Sequence, residues 1–499
     1  MSDLILSIDV GTQSTRAAVL NADGVVLSMS TSPEQSLHIP HTGWAEQDPE
    51  MWWKHVQETV QGCLQKVDTM RIAAVGVSGQ MHGCVPLDAN GNLLSRSVQL
   101  WCDKRYADKA DRLNQGSSAM HLQTLAGNMA LANWHGLKIS WLKQFESELY
   151  DKTWKILTPK DFINFRLTGE VAIDYSEASG SFLMETEARA WSTELASALD
   201  VELEKLPDIQ QAAQTLGQVH QEAFELTGIP AGTPVVTGGG DMLCMLLAAG
   251  LSKEGIASDI TGTSSIFSVF TPEPVKDRRI MNLHHVLDGW VPFGLLDSGG
   301  IALRWFRDAF CQAEVQTAKK KGISSYAYLD QLAQKSELDA RLIFLPHLMG
   351  ERTLGSPHSR GVLFGLTPQH GVGDAVRAVM TGVTYDLKRV LNQVENEGFR
   401  VDAIYHSGGG AESRFWSQLK ADVYQKPVRT FENNEGGLLG AAILAGVGAG
   451  LYANEQEGAG HCLNFADDFE PDPDLSGFYE EQFEAYVRIH DALQGEFER

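Results

Sequence analysis

The chain is short of disulfide chemistry, of positive charge and of long apolar runs. Its six cysteines (Cys63, Cys84, Cys102, Cys244, Cys311 and Cys462) are scattered and form no CxxC pair. They read as reduced thiols of a cytoplasmic protein. Only 40 Lys and Arg face 64 Asp and Glu, a net charge of −24. That balance argues against non-specific binding to nucleic acid or to an anionic membrane, so an anionic ligand must be held by local dipoles and a metal. There is no GxxxxGK[ST] segment, no His-Arg-Asp kinase loop and no HExxH pair. Those phosphoryl-transfer and metal templates therefore do not apply. Asp3 and Asp9 at the start, where a strand begins at once, argue against a secretory signal. One stretch, 436–453, runs 18 residues without charge, but six of them are Gly, and Asn434 and Glu435 precede it. Gly436, Gly440 and Ala441 suit a soluble helix packed closely on a sheet or another helix, and a membrane span is not expected.

What the chain does have is two short turns that look like copies of one phosphate-holding device. The first is Ile8-Asp9-Val10-Gly11-Thr12-Gln13-Ser14, and the second is Asp259-Ile260-Thr261-Gly262-Thr263-Ser264-Ser265. Each offers a Gly whose missing side chain lets backbone N–H groups approach an anion, and hydroxyls that donate to phosphate oxygens. Two such turns facing each other would grip a nucleotide from both sides. The expectation is a two-lobed, internally duplicated phosphotransferase.

The order of elements supports it. Strands are expected over 4–10, 15–20 and 24–30, with Asn21-Ala22-Asp23-Gly24 as a hairpin signal. Asp48-Pro49-Glu50 starts a helix to about residue 67, with Trp52, Val56, Val60 and Leu64 on one face. A buried strand over 72–78 then ends in Gly79-Gln80-Met81-His82-Gly83. In the second half, strands over 255–261 and 266–270 flank the second turn. A long helix is expected over 377–394, and a strand over 403–406 ends in Ser407-Gly408-Gly409-Gly410-Ala411. Strands that feed Gly-rich turns and then helices describe α/β lobes with ligands at the strand ends. The lobe boundary is placed near 245–255, giving lobes of 1–248 and 249–499. A final helix over about 477–494 is free to pack back on the first lobe.

Several residues suit chemistry. Asp9, at the end of a buried strand, is placed to hold Mg²⁺, or else to hydrogen-bond its own turn. Asp241 follows Gly238-Gly239-Gly240 and enters an apolar helix. Partial desolvation there raises a carboxyl toward what a general base needs, although Asp is also a favoured N-cap. Trp101 and Asp103 offer an aromatic face beside a carboxylate, which suits a polyol, or else are a core Trp and a surface Asp. Gly408-Gly409-Gly410-Ala411 passes a purine or makes a plain tight turn. His284 and His285 read as surface or core histidines.

These motifs resemble the FGGY carbohydrate kinases, in the expected order from about residue 4 to 450. The resemblance rests on Asp9-x-Gly11-Thr12-x-Ser14, Trp44-Ala45-Glu46-Gln47-Asp48-Pro49, Gly79-Gln80-Met81-His82-Gly83 and Gly239-Gly240-Asp241. It extends through Thr261-Gly262-Thr263-Ser264, Gly350-Glu351-Arg352-Thr353, Gly361-Val362-Leu363-Phe364-Gly365-Leu366 and Ser407-Gly408-Gly409-Gly410-Ala411. It implies two actin-like (ribonuclease-H-like) lobes around a central cleft, with the sugar mainly on the first and ATP mainly on the second. It implies Asp241 as catalytic base. Gln80, Met81, His82, Trp101, Asp103 and Met242 would line the sugar pocket. Gly11, Thr12, Gln13, Gly262, Thr263, Gly300, Gly409, Gly410 and Ala411 would meet ATP. The implied substrate is a small ketose, D-xylulose first. Departures bear on the sugar more than on ATP: Met242 stands in place of an Asn, and Cys102 and Lys104 replace Asn and Gly around Asp103. His135 and Thr381 also depart from the family signatures. A thioether in place of an amide removes hydrogen bonds that read a hydroxyl. Rival readings are a kinase of ribulose or a polyol, an actin-like ATPase module, and a sugar-binding regulator without turnover. Monomer and homodimer both fit the acidic surface.

Overall fold

The computed structural model describes residues 3–432 and 436–498. Asn434 and Glu435, the polar pair ahead of the uncharged stretch, lie outside the described residues.

The first lobe opens with β1 (Leu4–Val10), β2 (Thr15–Asn21) and β3 (Val26–Thr31). β1 is buried along its whole length, as its nearly continuous apolar sequence demands of a strand covered on both faces. Asn21 Oδ1 accepts from the backbone N–H of Asp23 and Val25 at 3.1 and 2.9 Å, and Gly24 turns the chain at φ +73°. In α1 (Pro49–Leu64), Asp48 caps the start by accepting from Glu50 N–H at 2.9 Å, and Trp52, Val56, Val60 and Leu64 are buried. β4 (Ile72–Gly79) runs parallel to β1. Helices α2 (His135–Phe145), α3 (Pro159–Thr168) and α4 (Tyr175–Ser179) follow. β5 (Thr215–Gln218), β6 (Pro234–Val236) and the short β7 (Gly239–Gly240) complete a sheet ordered β5-β6-β4-β1-β2-β3, with β7 against the end of β4. α5 (Asp241–Ala248) leads out.

The second lobe repeats the plan. β8 (Gly255–Thr261), β9 (Ser265–Val269), β10 (Met281–His284) and β11 (Trp290–Leu296) are followed by α6 (Gly299–Phe310) and the long α7 (Val372–Asn396). Then come β12 (Val401–Ser407), α8 (Arg414–Tyr424), β13 (Val428–Phe431), α9 (Gly436–Gly448), β14 (Phe465–Phe469) and α10 (Ser476–Phe497). The order is β10-β11-β9-β8-β12-β13-β14. β8 pairs antiparallel with β9 and parallel with β12, just as β1 pairs with β2 and β4. The register irregularity recurs too, after Leu4 in one sheet and after Gly255 in the other.

The uncharged stretch forms α9, which packs on β1, β4 and α5 although it comes from the second half of the chain. Ser7 Oγ donates to Leu438 O at 2.6 Å. A Cβ at Gly440 would stand 2.0 Å from Cys244 O, so only Gly lets α9 reach α5. No helix among the described residues is long and apolar enough to cross a membrane. The final helix does not return to the first lobe: α10 lies on α7 and α8, and Tyr385 Oη donates to Tyr479 O at 3.1 Å. Besides a core in each lobe, a third bridges them, joining Ile5 and Ala74 to Ile256 and Tyr405 through Leu243, Leu247, Leu438 and Ala442. All six cysteines are free thiols.

Candidate active site

Three strand ends of the first sheet meet at one place. Asp9 pairs in register with Ser78 of β4, and Ser78 with Gly239 of β7. The chain leaving β7 thus carries Asp241 to the end of the sheet that holds Asp9. Gly238 permits this approach: its φ is +72°, and a Cβ there would stand 2.0 Å from Val77 O. Beneath it lies a solvent-free ion cluster. Lys160 Nζ is 3.0 Å from Asp174 Oδ1, also pairs with Asp161, and donates to Thr237 O at 3.2 Å. Ser176 N–H donates to Asp174 Oδ2 at 2.8 Å, and Ser176 Oγ accepts from Gly240 N–H at 3.1 Å. The backbone just before Asp241 is therefore fixed by buried charge.

Asp241 itself is the first residue of α5, and Gly240 is the cap, which corrects the N-cap reading. Its Oδ1 accepts from Met242 N–H at 2.7 Å. Burial, helped by the negative charge of Asp9, pushes this carboxyl up to about 7. Asp9 is buried and holds Arg16 Nη2 at 2.6 Å, while Ser78 Oγ donates to its other oxygen at 3.2 Å. Arg16 was not singled out from the sequence. It stands directly opposite Asp9 across the β1–β2 hairpin, and that register is the signal that could have found it.

The first turn is closed by Gly11 N–H donating to Ser14 O at 3.1 Å, with Gln13 exposed at its tip. Thr12 is wired into the neighbouring loop. Its Oγ1 donates to Gln80 Oε1 at 3.0 Å and accepts from Trp101 Nε1–H at 2.9 Å. Gln47 Nε2–H donates to Thr12 O at 2.8 Å, and Gln47 Oε1 accepts from Gln80 Nε2–H and Trp52 Nε1–H, each at 3.0 Å. Gln80 is thus occupied at both ends of its amide.

The second turn is built alike. Gly262 N–H donates to Ser264 O at 2.9 Å, and Thr263 is exposed. α6 begins against it, with Gly300 N–H and Ile301 N–H donating to the carbonyls of Gly262 and Thr263 at 2.9 and 3.0 Å. Below, Lys420 Nζ lies 2.5 Å from Asp259 Oδ2 and 2.7 Å from Thr261 Oγ1, and Tyr424 Oη donates to Asp259 Oδ2 at 2.7 Å. Gly408, at φ +80°, opens a single 3₁₀ turn over Gly409–Glu412. Gly410 rests on Thr261, while a side chain at Gly409 would meet nothing within 4 Å. The Gly run is therefore a tight turn that presents bare backbone beside the second Gly/Thr turn.

The residues expected at the sugar differ in what they offer. Met81 packs on Gly240, where a Cβ would stand 2.7 Å from its Sδ. His82 holds a left-handed backbone, φ +61°, rare for a residue with a Cβ and costing about 1–3 kcal/mol. Its N–H donates to Glu177 Oε2 at 3.1 Å, and its ring stands edge-on to Trp134, centroids 5.0 Å apart. Burial drives His82 well below the ordinary histidine range and Glu177 well above the ordinary carboxylate range. Trp101 is 43% exposed, not a core residue. Asp103 is not a surface Asp: it is 1% exposed and its oxygens are taken by Ala45 N–H at 2.8 Å and by Arg105 at 2.6 Å. Arg105, also unforeseen, stacks on Trp44 at 3.7 Å and pairs with Glu46 at 2.5 Å. Met242 is half-buried beside Asp241. His284 and His285 are buried core residues.

Residues 4–248 match the N-terminal domain, and residues 257–449 the C-terminal domain, of the FGGY family of carbohydrate kinases. The chain belongs to the FGGY family. This FGGY kinase is 31% identical to a xylulose kinase of Klebsiella pneumoniae over 98% of its length and 99% of that protein. It is 30% identical to a gluconokinase of Bacillus subtilis (strain 168) over 91% of its length and 88% of that protein. The structure of a xylulose kinase from Rhodospirillum rubrum superposes with a TM-score of 0.92 at 25% identity, covering 99% of this chain and all of that one (100%). This FGGY kinase therefore has the two-lobed actin-like fold and is an ATP-dependent sugar kinase.

Proposed function

We propose that the chain transfers the γ-phosphate of ATP to the terminal hydroxyl of a small ketose, D-xylulose first, giving D-xylulose 5-phosphate. One observation carries the mechanism: the chain leaving β7 brings Asp241 to the strand ends that hold Asp9, where burial and the Asp9 charge push its carboxyl up to about 7. As the sugar oxygen attacks the γ-phosphorus, Asp241 takes the hydroxyl proton, the bond to the β–γ bridging oxygen breaks, and ADP leaves. The buried His82–Glu177 pair, whose charged forms burial disfavours, suits an uncharged polyol. Met81, His82 and Met242 face the sugar, and Trp101 lends it an apolar wall. Gln80 and Asp103, already hydrogen-bonded, position Thr12 and the 44–46 segment rather than bind sugar. Gly11, Thr12 and Gln13 of one turn, and Gly262 and Thr263 of the other, hold the phosphates. Gly300 packs the second turn onto α6, and Gly409, Gly410 and Ala411 lie along the nucleotide. Asp9 holds Arg16 through Oδ2, and its Oδ1, with only the long Ser78 contact among the described residues, is the hard oxygen that would hold Mg²⁺. Bound Mg²⁺ neutralises the phosphate oxygens. Free thiols throughout support a reducing, cytoplasmic setting. The sugar is a small molecule, and a homodimer is compatible with all of this.

A second reading, a kinase of another ketose, a polyol or an aldonate, is favoured by Met242. ADP release with Mg-ATP over pentuloses, hexuloses, polyols and gluconate tests it. The expected result is a D-xylulose rate well above the rest; a different best substrate keeps the kinase and moves the sugar.

The base also fixes a pH profile. Asp241 must be ionised to act, so kcat/KM of the free enzyme is expected to fall about tenfold per pH unit below 7 and level off above it. A profile flat from about pH 5.5 to 8 would remove Asp241 from that role.

A further inference from the structure

Inside the second lobe, away from the phosphate turns, two histidines and a carboxylate converge where the kinase reaction has no use for them. His347, Glu351 and His490 are 0%, 3% and 2% exposed, and one ligating atom from each lies within 4.8 Å of the others. Glu351 Oε2 is 2.7 Å from His490 Nε2 and 3.8 Å from His347 Nε2.

The outward-facing atoms of this group are already held. Glu351 Oε1 takes Arg389 Nη1 at 2.5 Å, which leaves Oε2 turned to the imidazoles. His490 Nδ1 is 2.9 Å from Asp491 Oδ1, while its Nε2 faces Glu351 Oε2 at 2.7 Å and Gln494 Nε2 at 2.9 Å, contacts that an ion bound at Nε2 would replace. With Nε2 on an ion, the Asp491 carboxylate at Nδ1 would orient and strengthen His490 as a ligand. His347, wholly buried, has no hydrogen-bond partner for either ring nitrogen. An unpartnered buried imidazole is costly, and a bond to a cation would satisfy it. Space for the carboxylate is kept by Gly355, where a Cβ would lie 1.8 Å from Glu351 Oε2. Glu351 and Asp386, whose Oδ1 is 3.9 Å from His347 Nε2, leave Arg389 outnumbered.

We propose that His347, Glu351 and His490 bind a zinc-class divalent ion that clips α10 to the 347–351 segment. Two imidazoles and one carboxylate suit zinc, whereas Mg²⁺ asks for an all-oxygen shell. Bonds of about 2.0–2.1 Å set ligand atoms roughly 3.3 Å apart, so His490 and Glu351 separate slightly and His347 moves inward on loading. The same segment reaches the nucleotide side: Met349 N–H donates to Ser298 Oγ at 3.1 Å, and Leu295 N–H to Thr353 Oγ1 at 2.9 Å. The ion would therefore stiffen the floor under α6 without entering the reaction.

The test is metal analysis of untagged full-length protein made in zinc-supplemented medium and dialysed into Mg²⁺ buffer. About one zinc per chain is expected, with a clear rise in Tm over protein refolded with a chelator. Refolding with Co²⁺ should give the visible absorption of a low-coordinate cobalt site. His347→Gln and His490→Gln should each carry less than about a tenth of an equivalent. Wild-type protein with no bound zinc, no cobalt spectrum and an unchanged Tm overturns the proposal, whether or not the variants fold.

Discussion

Asp241→Asn is expected to lower kcat by about 10²–10⁴-fold and yet raise Tm at alkaline pH. Both effects have one cause. The carboxyl titrates near 7 in the folded protein, against an ordinary value of 3.8, because burial and then the charge of Asp9 disfavour its anion. The folded state therefore holds this proton more tightly than the unfolded chain does. Its contribution to stability is full below about 3.8 and is lost as pH rises through 7. An amide of the same shape escapes that loss, so the gain in Tm belongs at pH 8 and vanishes at pH 4. It also cannot accept the hydroxyl proton, so sugar-dependent ADP release collapses while nucleotide binding stays. Thermal scans at both pH values with a coupled ADP assay read all three. Near wild-type turnover would remove Asp241 as the base, and an unchanged Tm at pH 8 would remove the strain assigned to it.

Lys420→Met is expected to cost about 3–5 kcal/mol of stability and to weaken ATP binding. Lys420 and Asp259 are both fully buried, directly beneath Gly262 and Thr263. Burial alone would push Asp259 up, but the Lys420 charge, with hydrogen bonds from Lys420 and Tyr424, holds it below the usual carboxylate range. Removing the ammonium leaves a charge in the interior with only the Tyr424 phenol and the Thr261 hydroxyl as donors, and the strand end that shapes the second turn loosens. The double variant Lys420→Met/Asp259→Asn should recover much of the loss, since the penalty lies in the orphaned anion. Urea midpoints of the single and double variants, with KM for ATP, decide it. A single variant within about 1 kcal/mol of wild type would mean that the pair does not hold the turn.

Much of this was legible in the sequence because it rests on local chemistry. Asp48-Pro49 had to start a helix, Asn21-Ala22-Asp23-Gly24 had to turn, and the two Gly/Thr turns had to end strands. The ends of α7 spread beyond 377–394 because Gly371, with Asp374 accepting from its N–H at 2.8 Å, starts the helix a turn earlier. What spacing could not show was who faces whom. Arg16 on Asp9, Arg105 on Asp103, and the chain from Trp101 through Thr12 and Gln80 to Gln47 all join residues brought together only by the sheet. These partners are the reason Gln80 and Asp103 are proposed as supports rather than sugar contacts. Asp241 was foreseen as desolvated, but its first-position geometry depends on β7 lying against β4, which two residues of Gly do not announce.

The placement of α9 has a consequence for biosynthesis. One face of β1 and β4 is covered by a helix that the ribosome does not finish until Gly448. A nascent first lobe, complete in its own strands by Gly240, must wait through some two hundred further codons with that apolar face bare. Folding of the first lobe during synthesis should therefore stay incomplete until α9 is made. The N-terminal half made alone should be sticky and chaperone-dependent, and supplying the C-terminal half as a separate polypeptide should rescue it.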